Sequence, residues 1–342
     1  MKTVIIGGSG FIGTNLINLL NPTSDILNLD KNQSWQHSSL SRVADVRDKG
    51  KLEEYIPYDT SAVILLAAEH RDDVSPVSLY YDVNVQGTQN VIDTCIKKDI
   101  NKIIFTSSVA VYGLNSEDTT EDATPNPFNH YGKSKLQAEQ LLVKWQEECP
   151  GERTLIVIRP TVVFGPGNKG NVYNLLNQLV NGKFMMVGKG HNKKSLAYVD
   201  NVSGFIEHCL NNINNGSHIF NYVDNPDYSV NELLLFVEKV LKKKLPPIRI
   251  PYVFGYSAAK CIDLLSKITN TRYAISSVRI KKFCATTQFS GEKMLASGYS
   301  PKITLQEGLN ITIDAICSST TTRGTNVKVM TPSVYHVKEA QS

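Results

Sequence analysis

No apolar run in this 342-residue chain approaches the roughly 20 residues that cross a bilayer, so no membrane span is expected. Cysteine is sparse. The six residues Cys95, Cys149, Cys209, Cys261, Cys284 and Cys317 lie far apart without metal-ligand spacing, so no metal site is expected. The opening Met1–Gly7 enters a strand at once and does not read as a signal peptide; reduced thiols in a cytoplasm are the expectation. Charge is small too: 36 basic against 32 acidic residues leave +4, which reads as spread out. Lys242-Lys243-Lys244 reads as a solvated helix end, and no nucleic-acid partner is expected. Neither an internal repeat nor a long low-complexity tract occurs.

What is present is an ordinary globular composition, 41% hydrophobic and 20% charged, long enough for one large domain or two smaller ones. Val4-Ile5-Ile6 reads as a buried parallel strand, Gly7-Gly8-Ser9-Gly10-Phe11-Ile12-Gly13 as a turn, and Thr14–Leu20 as a helix. That order is what a phosphate cradle requires, because glycines let the backbone come close and the helix N-terminus offers free N–H groups. Asp30 ends the second strand about 20 residues beyond the glycines, where a carboxylate accepts from ribose hydroxyls and repels a 2′-phosphate. NAD is therefore expected over NADP, with Lys31 the one nearby cation. Asp45-Val46 reads either as an adenine contact or as surface.

Further buried strands are expected at Ala62–Ala68, Lys102–Ser108 and Thr154–Pro160. Ala67 and Ala68 leave room for a ligand at the sheet edge. A helix is expected from Val83 to Lys98, where Asn84 is either a surface cap or a brace for the active-site strand. Gly113–Asn129 reads as an exposed loop, followed by a helix from Asn129 to Glu148. Tyr131 and Lys135, four apart on that helix, face the same way. An ammonium beside a phenol favours the phenolate, which makes Tyr131 a candidate general base, with Ser108 to hold a substrate oxygen. A solvated helix face is the plainer reading of the same spacing.

The regular alternation weakens near residue 168. Residues 1–168 are expected to form a cofactor domain to which 200–223 return; 169–199 and 224–317 form a smaller domain, and 318–342 a loosely held tail. Helices are expected near Val172–Asn181, from about Asp200, and at Ser229–Leu241, Tyr252–Lys267 and Leu305–Ala315.

Gly7–Gly13, Asp30, Asn84–Thr88, Ser107–Gly113, Tyr131–Lys135 and Arg159-Pro160 occur in this order, and over about 1–315 the chain resembles the extended short-chain dehydrogenase/reductase family, in its nucleotide-sugar epimerase branch. The resemblance implies an α/β fold, a Rossmann-type doubly wound parallel sheet with a smaller C-terminal α/β substrate domain. It places the cofactor NAD on Gly7, Gly10, Phe11, Ile12, Gly13, Asp30, Asp45, Val46, Ala67, Ala68, Asn84, Ser107, Tyr131, Lys135, Pro160 and Val162. It makes Ser108, Tyr131 and Lys135 catalytic, and places a UDP-linked hexose or N-acetylhexosamine on Ser108, Tyr131, Asn171, Lys194 and Arg279. Tyr131 would take a proton from the C4 hydroxyl as hydride passes to NAD; the transient 4-keto sugar would rotate and be reduced on its other face. A homodimer through helices near Gly87–Lys98 and Tyr131–Glu148 is also implied.

Four departures bear on the substrate. Ser107-Ser108-Val109 replaces the Thr-Asp-Glu of the family's 4,6-dehydratases; Val162 stands where an Asn is usual. Lys194 replaces a phosphate-binding Arg, keeping the charge without the bidentate fork, and no Arg-x-Gly-Asp motif follows. A 4-ketoreductase consuming NAD(P)H, a sterol-type dehydrogenase and a silent dinucleotide sensor are the alternatives.

Overall fold

The computed structural model describes residues 2–71, 74–114, 116–168, 170–245, 248–269 and 276–321. Its centre is a seven-stranded sheet, all parallel, with strands in the order Gly216–Tyr222, Thr154–Pro160, Lys102–Thr106, Thr60–Leu65, Lys2–Ile6, Asp25–Asp30 and Ser41–Val43. Strand periodicity of two sends alternate residues to opposite faces. Val4, Val63, Leu65, Ile103 and Phe105 enter one core with Val91, Leu142 and Trp145 of two covering helices. Ile5, Ile64, Ile104 and Ile156 enter the other, with Leu16, Ile17 and Phe205. Both faces are covered, which is why these strands read as unbroken apolar runs rather than alternating ones. Each such side chain contributes about 1.5–3 kcal/mol by leaving water.

Helix Val199–Asn212 packs with Phe11–Leu20 on that second face, and Gly216–Tyr222 forms the sheet edge, so the chain returns to the main sheet after leaving it at Pro160. The second sheet has Lys193–Tyr198 at its centre, antiparallel to Asp224–Ser229 and parallel to Val162–Phe164 and Thr287–Phe289. Its core is Phe164, Leu176, Leu196, Leu233, Leu305, Leu309 and Ile313.

Three expectations need correction. Ser116–Thr119, expected to be exposed loop, pairs with Thr287–Phe289 as an edge strand. Its polar residues give no apolar alternation, because the pairing is made by backbone alone. The helix expected from Val83 begins with a π-helical turn, Asp82–Gln86, and becomes α-helical at Gly87–Lys97. The C-terminal helix runs over Leu305–Thr321, into the expected tail; 322–342 lie outside the described residues. No helix among the described residues is long and apolar enough to cross a membrane.

Candidate active site

The glycine turn is built as its spacing demands. Gly7 has φ +93°, and a Cβ there would run into the backbone of Ala67 at the end of the neighbouring strand. A Cβ on Gly13 would strike the Gly8 backbone, so this glycine lets helix Phe11–Leu20 pack tightly on the turn. Gly10 differs: a Cβ there would approach only Gly7 O, at 3.4 Å. Gly10 is exposed at the helix N-terminus, whose first N–H groups have no side-chain cap. Asp30 accepts from Ser9 N at 3.0 Å and Asn32 N at 2.8 Å, which pins the carboxylate beside the turn. Asp45 is held by Arg47, whose guanidinium donates at 3.0 and 2.7 Å and keeps the carboxyl below its ordinary range. Val46 is buried and its carbonyl accepts from Asn90 at 3.0 Å. The Phe11 ring and the half-buried Ile12 open the helix, and Phe11 reaches the backbone at Gly165.

Helix His130–Glu148, which carries Tyr131 and Lys135, is capped by Asn129, whose side chain accepts from Gly132 N at 2.9 Å. Four contacts then fix it over the strand ends. Gly132 lies so near the Ala110 carbonyl that no Cβ fits between them. Ala110 belongs to the short turn that Ser108 caps, so the first helical turn carries Tyr131 onto the segment bearing Ser108. Ser108 Oγ accepts from Ala110 N at 3.1 Å and keeps its own proton to donate. Asn84, in the π-helical turn, exchanges hydrogen bonds with the backbone of Glu69 and donates to Ser134 Oγ at 2.8 Å. It is therefore a brace between strand end and catalytic helix, and a surface position is excluded because it is 2% exposed. Lys135 is 1% exposed, its ammonium 4.1 Å from the centre of the Phe105 ring. One turn on, Glu139 meets Arg159 in a buried fork at 3.0 and 2.6 Å.

Replacing Gly132 with Ala should therefore push the first turn off Ala110. We expect about 1–3 kcal/mol lost in urea unfolding and turnover lower by about 100-fold, with NAD affinity unchanged. Wild-type turnover would contradict the placement.

Burial pushes the Lys135 ammonium down to about 7, against the attraction of Glu139. In the unfolded chain this lysine holds its proton to about 10.4, so between those values the unfolded state binds more protons. Stability should then rise with pH across that window, by at most about 1.4 kcal/mol per unit. Lys135→Met should lack the rise. Urea midpoints of both proteins at about pH 7.5 and about pH 9 test this; a gap between them independent of pH would contradict it.

Two buried hydroxyls at adjoining strand ends have no hydrogen-bond partner among the described residues: Ser107 Oγ and Thr161 Oγ1. Unpaired buried hydroxyls are costly. With the open Gly10 and the pinned Asp30 they fit a dinucleotide laid across the carboxyl edge of the sheet. Ala67 and Ala68 follow the neighbouring strand Thr60–Leu65, Pro160 ends Thr154–Pro160, and Val162, 38% exposed, begins Val162–Phe164 of the second sheet.

The substrate-side residues are less gathered. Asn171 is exposed at the start of helix Asn171–Val180. Lys194 spends its ammonium on the carbonyls of Lys282, at 2.8 Å, and Ala285, at 2.5 Å, tying down the end of helix Ser277–Cys284; burial pushes it down to about 8. Arg279 is exposed on that helix.

Residues 3–222 match the model of the NAD-dependent epimerase/dehydratase family. The chain belongs to that family. Over 313 residues it is 53% identical to the N-acetyl-α-D-glucosaminyl-diphospho-ditrans,octacis-undecaprenol 4-epimerase of Escherichia coli O157:H7, covering 91% of this chain and 94% of that one. It is 30% identical to the UDP-glucose 4-epimerase of Vibrio cholerae, over 92% and 95% of the two chains. The UDP-glucose 4-epimerase of Thermus thermophilus, solved with NAD, shares the fold at a TM-score of 0.71 and 21% identity, covering 93% of this chain and all of that one. Its family is one of NAD-dependent epimerases and dehydratases, and both of these sequence relatives are named as 4-epimerases. Thr161, Phe105, Ser134 and Glu139 are site residues that no sequence motif singles out. Glu139 had a signal, four residues beyond Lys135; Thr161 had only its place after Pro160.

Proposed function

We propose that the substrate is an N-acetylhexosamine carried on a diphospho-polyprenol, interconverted at C4 between its gluco and galacto forms. The observation that carries this reading is the 53% identity to a relative named for that chemistry, which spans the substrate-domain segments as well as the cofactor domain. When bound, NAD supplies the acceptor and donor of the C4 hydride. Gly7, Gly10, Gly13 and Asp30 would hold its phosphates and ribose, with Ser107 and Thr161 donating or accepting near the strand ends. Tyr131 takes and returns the C4 hydroxyl proton, Ser108 donates to that oxygen, and Lys135 favours the phenolate. The fixed helix contributes by holding these groups in place before the sugar arrives.

A UDP-linked sugar is the second reading, supported by the Vibrio cholerae relative named for UDP-glucose. Purified protein would be given N-acetylglucosaminyl-diphospho-undecaprenol in detergent, or UDP-N-acetylglucosamine, without added cofactor. We expect the first to be converted with kcat/KM at least about 100-fold higher; equal or reversed preference would restore the UDP-linked reading. Stoichiometric consumption of added NAD(P)H would favour the ketoreductase instead.

A cytoplasmic location and a homodimer through helices Gly87–Lys97 and His130–Glu148 belong to the same reading. The outward face of the catalytic helix carries Lys133, Gln137, Gln140 and Lys144, so that interface would be polar.

A further inference from the structure

The modest net charge conceals a concentration. From Lys242 to Lys282 the sequence has ten lysines and arginines and one acidic residue, Asp263. This +9 exceeds the +4 of the whole chain, so the remainder is net negative. Exposed apolar surface gathers in the same place. Of the nineteen exposed large apolar side chains among the described residues, eight fall between Ile248 and Val278.

Helix Tyr252–Thr269 carries most of them. Val253 and Phe254 are each 70% exposed, Leu264 60%, Leu265 50% and Ile268 72%. At 3.6 residues per turn these five fall within about one third of the circumference. The opposite side holds Gly255 and Ala259, both buried, and a Cβ on Gly255 would press into Val187. The helix thus packs Gly255 and Ala259 inward and turns these five large apolar side chains to solvent, unlike an ordinary surface helix. Exposed lysines accompany the stripe: Lys260 lies on the helix itself and Lys281, its ammonium 4.8 Å from the Phe128 ring, on the helix packed against it, while Lys242–Lys244 are exposed where the preceding helix ends. Asp263, the lone acid, accepts from Ser277 N at 3.1 Å and is tied into the helix pair.

We propose that this face docks on an anionic phospholipid surface, the helix lying in the plane of the interface. The pairing of an apolar stripe with surrounding lysines fits such a surface on both counts. A second copy of the chain would set two strongly positive surfaces against each other. A nucleic acid would meet the charge but has no use for five exposed aliphatic and aromatic side chains. The inference rests on the lipid-linked reading of the substrate for its purpose, since a polyprenol carrier is confined to a bilayer, but it is measured without that substrate.

Full-length protein would be floated with vesicles of phosphatidylglycerol and phosphatidylethanolamine, or of phosphatidylcholine alone, with no sugar present. We expect partition onto the anionic vesicles at least about tenfold stronger. Phe254→Ser with Ile268→Ser should lower it at least about tenfold, and Lys260→Glu with Lys281→Glu should lower it most at low salt. Both pairs should turn over the lipid-linked sugar in detergent as the wild type does. Absence of flotation, or flotation unaffected by either pair, overturns the proposal. So does a wild-type dimer that the apolar pair dissociates while vesicles go unbound, which would make the face a contact between copies. Flotation without turnover of the lipid-linked sugar would sink the substrate reading and leave the docking face standing; turnover without flotation would do the reverse.

Discussion

Tyr131→Phe should slow epimerisation by at least about 1,000-fold, because the proposed mechanism loses the hydroxyl that exchanges the C4 proton and general acid–base catalysis is commonly worth about 100- to 10,000-fold. The structure says why nothing else should change much. Tyr131 sits in the first turn of a helix fixed by the Asn129 cap, the close approach of Gly132 to Ala110, the Asn84–Ser134 bond and the Glu139–Arg159 pair. NAD affinity should stay within a few-fold of wild type, since the glycine turn and Asp30 are on the other side of the sheet centre. Steady-state turnover beside cofactor titration separates the two effects. Activity within about tenfold of wild type would remove Tyr131 from the chemistry and, with it, the reading of Lys135 as its partner.

Glu139→Ala should cost about 3–5 kcal/mol in stability, the largest effect expected of a residue that touches neither sugar nor cofactor. Glu139 and Arg159 are each 4% exposed, and the same guanidinium donates to Tyr112 Oη at 2.6 Å, which donates in turn to Asn221 at 2.9 Å. Removing the carboxylate leaves a buried guanidinium facing a phenol. Glu139→Met combined with Arg159→Leu should recover most of the loss, because a buried pair replaced by apolar groups of similar volume is often neutral. Urea unfolding of both variants decides. Equal losses in single and double variants would mean that the pair acts through packing rather than charge. A kinetic consequence follows, since Glu139 favours the charged form of Lys135; Glu139→Gln should move the pH profile of kcat to lower pH.

How far the fold was legible in the sequence depends on which side of the sheet a segment serves. Strands buried on both faces, such as Val4–Ile6 and Lys102–Thr106, announce themselves through unbroken β-branched and aromatic runs. Ser116–Thr119 does not, because an edge strand made of Ser, Glu, Asp and Thr is held by its backbone. The glycine turn, Asp30 and the Tyr131–Lys135 pair were readable because each depends on local spacing. Asn84 was readable as either a cap or a brace, but Thr161 and the Ser134 that Asn84 braces against were not, because their meaning lies in which strand ends the sheet order sets side by side. The charge of the segment 242–282 was present in the sequence throughout. Its significance appears only once Val253, Phe254 and Ile268 are found facing solvent beside it.

The most direct test of the account carries deuterium at C4 of the N-acetylglucosaminyl-diphospholipid substrate. The purified protein, with no cofactor added, should give the C4 epimer with the label still on C4, since the hydride is removed and returned within one closed site. Deuterium lost to water, or a keto sugar released with no epimer formed, would contradict it.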